Sequence, residues 1–199
     1  TLLEVNASQK DKDFVLAINW KKAEEYLKQG KGKKWAAKYA HNTFDDNSHT
    51  ATSVMENSVT VMDVKDLPGV CYFIPCPKSP HGVSVDPSGE YIAASGKLAA
   101  VVPVYSFHKM LKAIDDKAFE GYYDSIPVIK YEAALDGEVA NVGLGPLHTE
   151  FDNNGNAYTS CFVSSEIVKW DVKTKKVLDR TPTYYSIGHL CVPGGDCSQ

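Results

Sequence analysis

The alternation of hydrophobic and polar residues along the chain predicts a mainly β protein. Runs of β-branched or aromatic residues bounded by polar residues are typical of strands. Four such runs occupy residues 13–19, 58–64, 100–107 and 166–172. The segment "CYFIPC", residues 71–76, has the same character. The pattern therefore favours an all-β fold.

Two short helices are predicted between these strands. Asn19 is placed to cap the first helix and Gly30 to end it. Ser106 is placed to cap the second helix, in which Met110 and Ile114 form the apolar side. The apolar residues of the first helix recur at helical spacing: Trp20, Ala23, Tyr26 and Leu27.

One stretch of sequence occurs twice. "SPHGVSVDPSGEY" at residues 79–91 returns as "GPLHTEFDNNGNAY" at residues 145–158, each with a histidine ahead of an Asp-x-x-Gly turn. A third copy is predicted to begin at "SIGHLCVPGGD". Repeats of about forty residues with several short strands are typical of β-propeller blades, and a β-sandwich is the alternative. We expect about three blades with short helical insertions.

The repeated histidines His81, His148 and His189 are candidate metal ligands because a propeller brings equivalent positions toward one axis. Neutral imidazole suits copper, zinc, iron and nickel, whereas calcium and magnesium prefer oxygen ligands, which leaves copper prominent. A zinc hydrolase is less favoured because the chain has no His-Glu-x-x-His motif. The competing hypothesis is a WD40-like interaction module with structural histidines.

The other histidines and the cysteines give weaker signals. His41 and His49 fall in a polar segment and are predicted to be loop surface residues. His108, on the second helix, is predicted to be a hydrogen-bonded structural residue. Cys71 and Cys76 are too far apart along one strand to form a disulfide. The roles of Cys191 and Cys197 stay open.

Composition excludes some partners. The 199 residues include 21 basic and 25 acidic side chains, a net charge of -4, which argues against binding to nucleic acid or an anionic membrane. The lysines of residues 28–38, at the end of the first predicted helix, are interpreted as a solvent-exposed surface. No apolar run has the length of a membrane span. Because the chain begins at Thr1 and stops after turn residues, we expect a fragment, with residues 1–199 forming part of one domain.

Three segments together resemble the central part of nitrous oxide reductase. They are "CPKSPHGVSVDPSGEYIAASGKL", "GLGPLHTEFDNNGNAYTSCFVSSEIVKWD" and "YYSIGHLCVPGGD", and "DFVLAINWKKAEEYLKQGK" resembles the family's preceding strand and helix. The resemblance implies part of a seven-bladed propeller from a periplasmic homodimer whose C-terminal cupredoxin domain holds a binuclear copper site. It also implies that His81, His148 and His189 are three of seven histidines around a sulfide-bridged four-copper cluster.

The implied activity is reduction of N2O to N2 and water, with electrons from a periplasmic donor such as a c-type cytochrome or a cupredoxin. The family's adjacent histidine pair, its last propeller histidine and its cupredoxin domain lie outside these 199 residues, so the isolated chain is expected to be inactive. Ser79 stands where many relatives have an asparagine that takes part in calcium binding, and Asp13 aligns with another calcium ligand. Calcium is therefore a possible second cofactor.

Overall fold

The computed structural model describes residues 13–44 and 50–193. For residues 36–44 and 50–58 it describes the backbone and not the side chains. This part of the chain is mostly β, as predicted, and forms three four-stranded sheets and a two-stranded ribbon. The strands are β1 (Phe14–Ile18), β2 (Lys33–Phe44), β3 (Thr50–Val61), β4 (Cys71–Pro75), β5 (Pro80–Val85), β6 (Tyr91–Gly96), β7 (Val101–Ser106), β8 (Phe119–Tyr123), β9 (Ile126–Ile129), β10 (Leu135–Ala140), β11 (Pro146–Phe151), β12 (Asn156–Cys161), β13 (Glu166–Asp171) and β14 (Val177–Pro182). The α-helices are α1 (Trp20–Lys28), α2 (Phe107–Asp115) and α3 (Tyr131–Ala134). None of the helices in the described residues has the length and apolar character needed to cross a membrane.

The chain divides into two compact units, one of which comprises residues 18–71. In this smaller unit α1 begins as predicted, with the Asn19 side chain accepting a hydrogen bond from the Lys22 amide at 3.0 Å. The Tyr26 hydroxyl donates to the Pro68 carbonyl at 3.1 Å and ties the helix to the segment that leaves the ribbon. The ribbon pairs β2 with β3 in antiparallel register from Lys33 to Phe44.

Two predictions about this smaller unit are wrong. His41 lies in strand β2 and not in a loop, because a two-stranded ribbon needs no buried face and so shows no clear alternation. The strand predicted at residues 58–64 ends at Val61, since Asp63 caps a short 3-10 helix, Val64–Asp66, by accepting from the Lys65 amide at 3.0 Å. His49 lies outside the described residues.

The larger unit contains the three four-stranded sheets. The strand orders are β1-β4-β9-β8, β10-β7-β6-β5 and β11-β12-β13-β14. The third sheet is a simple antiparallel meander, and the second is antiparallel with α2, β8, β9 and α3 inserted between β7 and β10. The first sheet contains a parallel pair, β4 with β9. Four-stranded antiparallel sheets are the usual propeller blade, and the number of blades stays a prediction.

The repeated Asp-x-x-Gly turns each have an aspartate that accepts backbone hydrogen bonds, as the sequence repeat predicts, but the first turn is one residue longer than the second. An oxygen of Asp86 accepts from the Tyr91 amide at 2.8 Å, and an oxygen of Asp152 accepts from the Asn156 amide at 2.9 Å. The glycine of each turn has a positive φ, 77° at Gly89 and 80° at Gly155. Each turn reverses the chain from a histidine-bearing strand into the next strand, β5 into β6 and β11 into β12. The third predicted copy forms no strand within residues 183–193.

Two hydrophobic cores stabilise the larger unit. One is shared by the second and third sheets and includes the fully buried Val104, Val168 and Trp170. The other packs beneath α2 and includes Tyr105 and Met110. Helix α2 begins as predicted at Ser106, whose side chain accepts from the Lys109 amide at 3.1 Å.

An ion-pair network links the second sheet with the third and with α2. Asp136, at the start of β10, contacts the ammonium groups of Lys175 and, at 3.0 Å, Lys109. The hydrogen bond from Lys175 is the largest cause that lowers the pKa of Asp136 below its usual value, and Lys109 acts in the same direction. The Lys175 side chain is 8% exposed and that of Asp136 is 25% exposed, so solvent screens this pair less than a surface pair.

We predict that Asp136 stabilises the fold in a pH-dependent way. Because its folded pKa is depressed, its contribution is complete above the unfolded pKa near 3.8 and is lost as the pH falls through the folded pKa. Asp136→Asn should therefore lower the free energy of unfolding by roughly 1–2 kcal/mol at about pH 7 and by less at about pH 3, where part of the contribution of the carboxylate is already lost. Urea denaturation at both pH values measures this, with Asp179→Asn on exposed β14 as the control. An equal loss at both pH values would contradict the assignment.

Candidate metal centre

The three predicted ligand histidines come from separate segments of the larger unit. His81 is the second residue of β5, and His148 is the third residue of β11. His189 lies in the irregular segment that follows β14. His81 and His148 therefore lie inside their strands. The sequence repeat had suggested instead that each histidine comes immediately before a strand.

The structure brings the three imidazole rings together. The centroid of the His148 ring lies 4.0 Å from that of His189 and 4.9 Å from that of His81, and the His81 and His189 centroids are 6.3 Å apart. Residues separated by as many as 108 positions thus form one cluster. We call these three side chains the histidine cluster.

His108 lies outside the histidine cluster, as predicted. Its side chain is 84% exposed on α2, and its Nδ1 pairs with the Glu90 carboxylate. The hydrogen bonds from Ser106 and from His108 lower the pKa of Glu90. His108 therefore has a local structural partner.

A close approach of two backbones sets β5 beside β11. The two strands pack against each other, and a Cβ built on Gly82 would lie 2.4 Å from the carbonyl oxygen of Leu147. That distance is far below van der Waals contact, so only glycine fits at residue 82 without displacing a strand. Gly82 follows His81 and Leu147 precedes His148, so the contact places the two histidines side by side.

The surroundings of the cluster favour neutral imidazole. Burial lowers the pKa of His148, and the nearby His189 and His81 lower it further. Partial desolvation lowers the pKa of His81 although the residue is exposed, and His189 and the Lys97 ammonium lower it further. Neutral imidazole has a free ring nitrogen that can bind a metal, whereas imidazolium has none.

His148 carries an unpartnered polar atom. Its Nε2 is buried, and among the described residues it is the one buried side-chain nitrogen or oxygen without a hydrogen-bond partner. Leaving a buried polar atom unpaired costs about 1–3 kcal/mol, so such an atom requires an explanation. A ligand that binds at Nε2 would remove this cost.

A positive charge lies near the cluster. The Lys97 ammonium is 4.7 Å from the centroid of the Phe162 ring, in the turn between β12 and β13. The Lys97 amide donates to the Ser79 carbonyl at 2.8 Å, so the turn that follows β6 is fixed to the segment that enters β5. No signal in the sequence distinguishes Lys97, because a lone lysine in a turn is usually a surface residue.

The histidine cluster suits a metal by the chemistry of its donor atoms, but its geometry does not form a site for a single ion. Within residues 13–44 and 50–193, no three His, Cys, Asp or Glu side chains are arranged around a position for a single metal ion. Three imidazoles, one of them with an orphaned buried nitrogen, are nevertheless the kind of donors that copper and zinc accept. At the predicted calcium position, an oxygen of Asp13 accepts from the Ser79 amide at 3.0 Å.

Two of the buried or partly buried cysteines are unsuited to this donor set. Cys71, Cys76, Cys161 and Cys191 are free thiols, and Cys197 lies outside the described residues. Burial raises the pKa of Cys76 to about 12, with a further contribution from the Asp13 carboxylate. Burial likewise raises the pKa of Cys161 to about 12. These two thiols therefore stay protonated near neutral pH and are poor metal ligands.

Curated relatives identify the family. A nitrous-oxide reductase of Pseudomonas fluorescens is 34% identical over 162 residues, which cover 81% of this chain and 21% of that protein. Those of Ralstonia nicotianae and Cupriavidus necator are 36% and 37% identical over 59% of this chain and 18% of their own lengths. The chain belongs to the nitrous-oxide reductase family. It spans about a fifth of the length of these reductases.

Two other comparisons add little to the nitrous-oxide reductase match. No protein-family profile matches the chain. Among solved structures, hydrazine synthase of Kuenenia stuttgartiensis aligns over 54% of this chain and 24% of that chain, with 13% identity and a TM-score of 0.40. That similarity is too low to support a conclusion about fold or function.

We predict that Gly82→Ala disrupts the contact between β5 and β11. The new methyl group would overlap the Leu147 carbonyl, and overpacking of this kind costs about 1–3 kcal/mol of unfolding free energy. Gly188→Ala is the matched control because nothing lies within 4 Å of its added Cβ. Urea denaturation of both variants measures the difference. Equal stabilities would show that the two strands are not held as closely as described.

Proposed function

We propose that the histidine cluster is part of a copper centre at which the complete protein reduces N2O to N2 and water. The observation that supports this most directly is the meeting of His81, His148 and His189 in a chain of the nitrous-oxide reductase family. When bound, a cluster of several coppers would supply the two electrons that N2O reduction requires. The family resemblance, and not the fold, names copper as the metal.

The donor atoms agree with this proposal. His148 Nε2 is buried and unpartnered, and the pKa values of His81 and His148 are lowered, so both rings are ready to donate a lone pair near neutral pH. A cluster of several metals does not need three ligands on one ion, which is compatible with the absence of a single-ion site among the described side chains.

The chain's own residues hold and orient the ligands. The pairing of β5 with β6 and of β11 with β12 fixes the backbones that carry His81 and His148. The His148 amide also donates to the Ser160 hydroxyl at 3.3 Å. Rigid strands suit a metal site because they hold ligands in place before the metal arrives.

The rest of the assembly is also part of the proposal. Four further histidine ligands, a cupredoxin domain with a binuclear copper site, a homodimer and a periplasmic electron donor would complete the enzyme, which would act in the periplasm. Calcium would bind near Asp13, where Ser79 replaces the family's asparagine. By itself, the 199-residue chain is expected not to reduce N2O because it supplies three of the seven ligands.

The competing function is an interaction module with structural histidines. Buried structural histidines normally have hydrogen-bond partners for their ring nitrogens. The orphaned Nε2 of His148 does not follow this rule, and three clustered rings are not needed to stabilise a sheet. The copper centre is therefore the better supported function.

We predict that His148→Ala lowers copper content and N2O reduction together. In the protein made from its complete reading frame, loss of this ligand should lower both by at least about tenfold, since even changes to the partners of metal ligands cost 10–100-fold. His108→Ala is the control because its side chain is exposed on α2. The measurements are copper per subunit and N2O consumption with a reduced dye. Full copper and full turnover in His148→Ala would refute the ligand assignment.

A further inference from the structure

A line of buried hydroxyl groups crosses from the third sheet to the second. The Trp170 indole nitrogen donates to Thr159 Oγ1 at 2.8 Å, and Thr159 Oγ1 lies 2.8 Å from Thr149 Oγ1. Ser95 Oγ lies 3.5 Å from Thr149 Oγ1, at the outer limit of a hydrogen bond. All four side chains are at most 1% exposed. These four residues form the hydroxyl chain.

The hydroxyl chain is anchored at one end by a donor. An indole N–H can only donate, so Thr159 Oγ1 accepts from Trp170. In the contacts of Thr149 with Thr159 and with Ser95, either hydroxyl can be the donor. One buried tryptophan thus anchors a line of three hydroxyl groups on three other strands.

The far end of the hydroxyl chain lies beside the histidine cluster. Thr149 follows His148 on β11. Ser95, on β6, is the register partner of Gly82, which follows His81 on β5. The contact between Ser95 and Thr149 therefore joins the strand pair that carries His81 to the strand that carries His148.

We propose that Thr149 is a positioning residue that sets the spacing of His81 and His148 through its contact with Ser95. The inference rests on the proposed copper centre and adds the device that aligns two of its ligands. The Gly82 contact lets β5 approach β11, and the hydroxyl chain fixes how far one strand slides along the other. A buried hydroxyl that slid away from its partner would lose a hydrogen bond without gaining water.

The hydroxyl chain orients and does not conduct protons. It begins at the indole of Trp170, which is fully buried and does not titrate near neutral pH. No proton source therefore lies at that end. Its effect on the copper centre should come from ligand placement alone.

The test compares Thr149→Val, which keeps the shape and removes the hydroxyl, with Thr149→Ser, which keeps the hydroxyl. In the copper-loaded protein from its complete reading frame, Thr149→Val should release copper to a Cu(I) chelator about tenfold more readily, the lower end of the effect of altering partners around metal ligands. Its copper absorption bands should shift, a change that reduced stability alone would not cause. Thr149→Ser should restore both properties.

The control is Thr181→Val, the same change on exposed β14, which should leave copper retention and spectrum as in the wild type. If Thr149→Val does not fold, Ser95→Ala replaces it and should weaken copper retention in the same direction. Wild-type retention and spectrum in Thr149→Val or Ser95→Ala, in a protein whose His148→Ala variant loses copper, would overturn the positioning role. Retention of copper by His148→Ala would instead overturn the copper centre itself.

Discussion

The packing of β5 against β11 is the contact on which the candidate site depends. It brings the Leu147 carbonyl to within 2.4 Å of where a Cβ would stand on residue 82, and the absence of a side chain there allows the approach. Two further features of the site use this contact. The rings of His81 and His148 meet because their backbones do, and Ser95 reaches Thr149 because β6 is paired with β5.

The same contact explains how a site can be built from a sequence repeat. Each Asp-x-x-Gly turn joins a histidine-bearing strand to the next strand, β5 to β6 and β11 to β12, although His81 is the second residue of its strand and His148 the third. Side-by-side packing of two such units then converts a repeat along the chain into a cluster in space. The histidine cluster therefore needs few specialised residues, since the scaffold that repeats the strand also repeats the histidine.

Much of the fold followed from local sequence signals. Asn19 and Ser106 cap helices as predicted, because a side chain at a helix start meets the same free amides in any protein. The β2–β3 ribbon followed only in part, because the polar, turn-rich sequence of residues 41–53 resembles a loop. The parallel pairing of β4 with β9 also could not be predicted, since it joins segments more than fifty residues apart.

The histidines of the cluster could be singled out from the sequence, and the residues that support them could not. Three histidines in register are visible in the sequence, whereas Thr149, Thr159 and Ser95 resemble ordinary strand residues until the packing shows them buried together. Gly82 likewise reads as an unremarkable glycine until the Leu147 carbonyl is seen beside it. Residues that act through contacts between distant parts of the chain are hard to recognise from local sequence patterns.

The central claim is that His81, His148 and His189 bind copper at one centre. Anomalous X-ray diffraction at the copper absorption edge, from crystals of the copper-loaded protein made from its complete reading frame, tests it most directly. The account predicts copper peaks within bonding distance, about 2 Å, of ring nitrogens of these histidines, including Nε2 of His148. Copper bound elsewhere, with no peak beside His148, would contradict it.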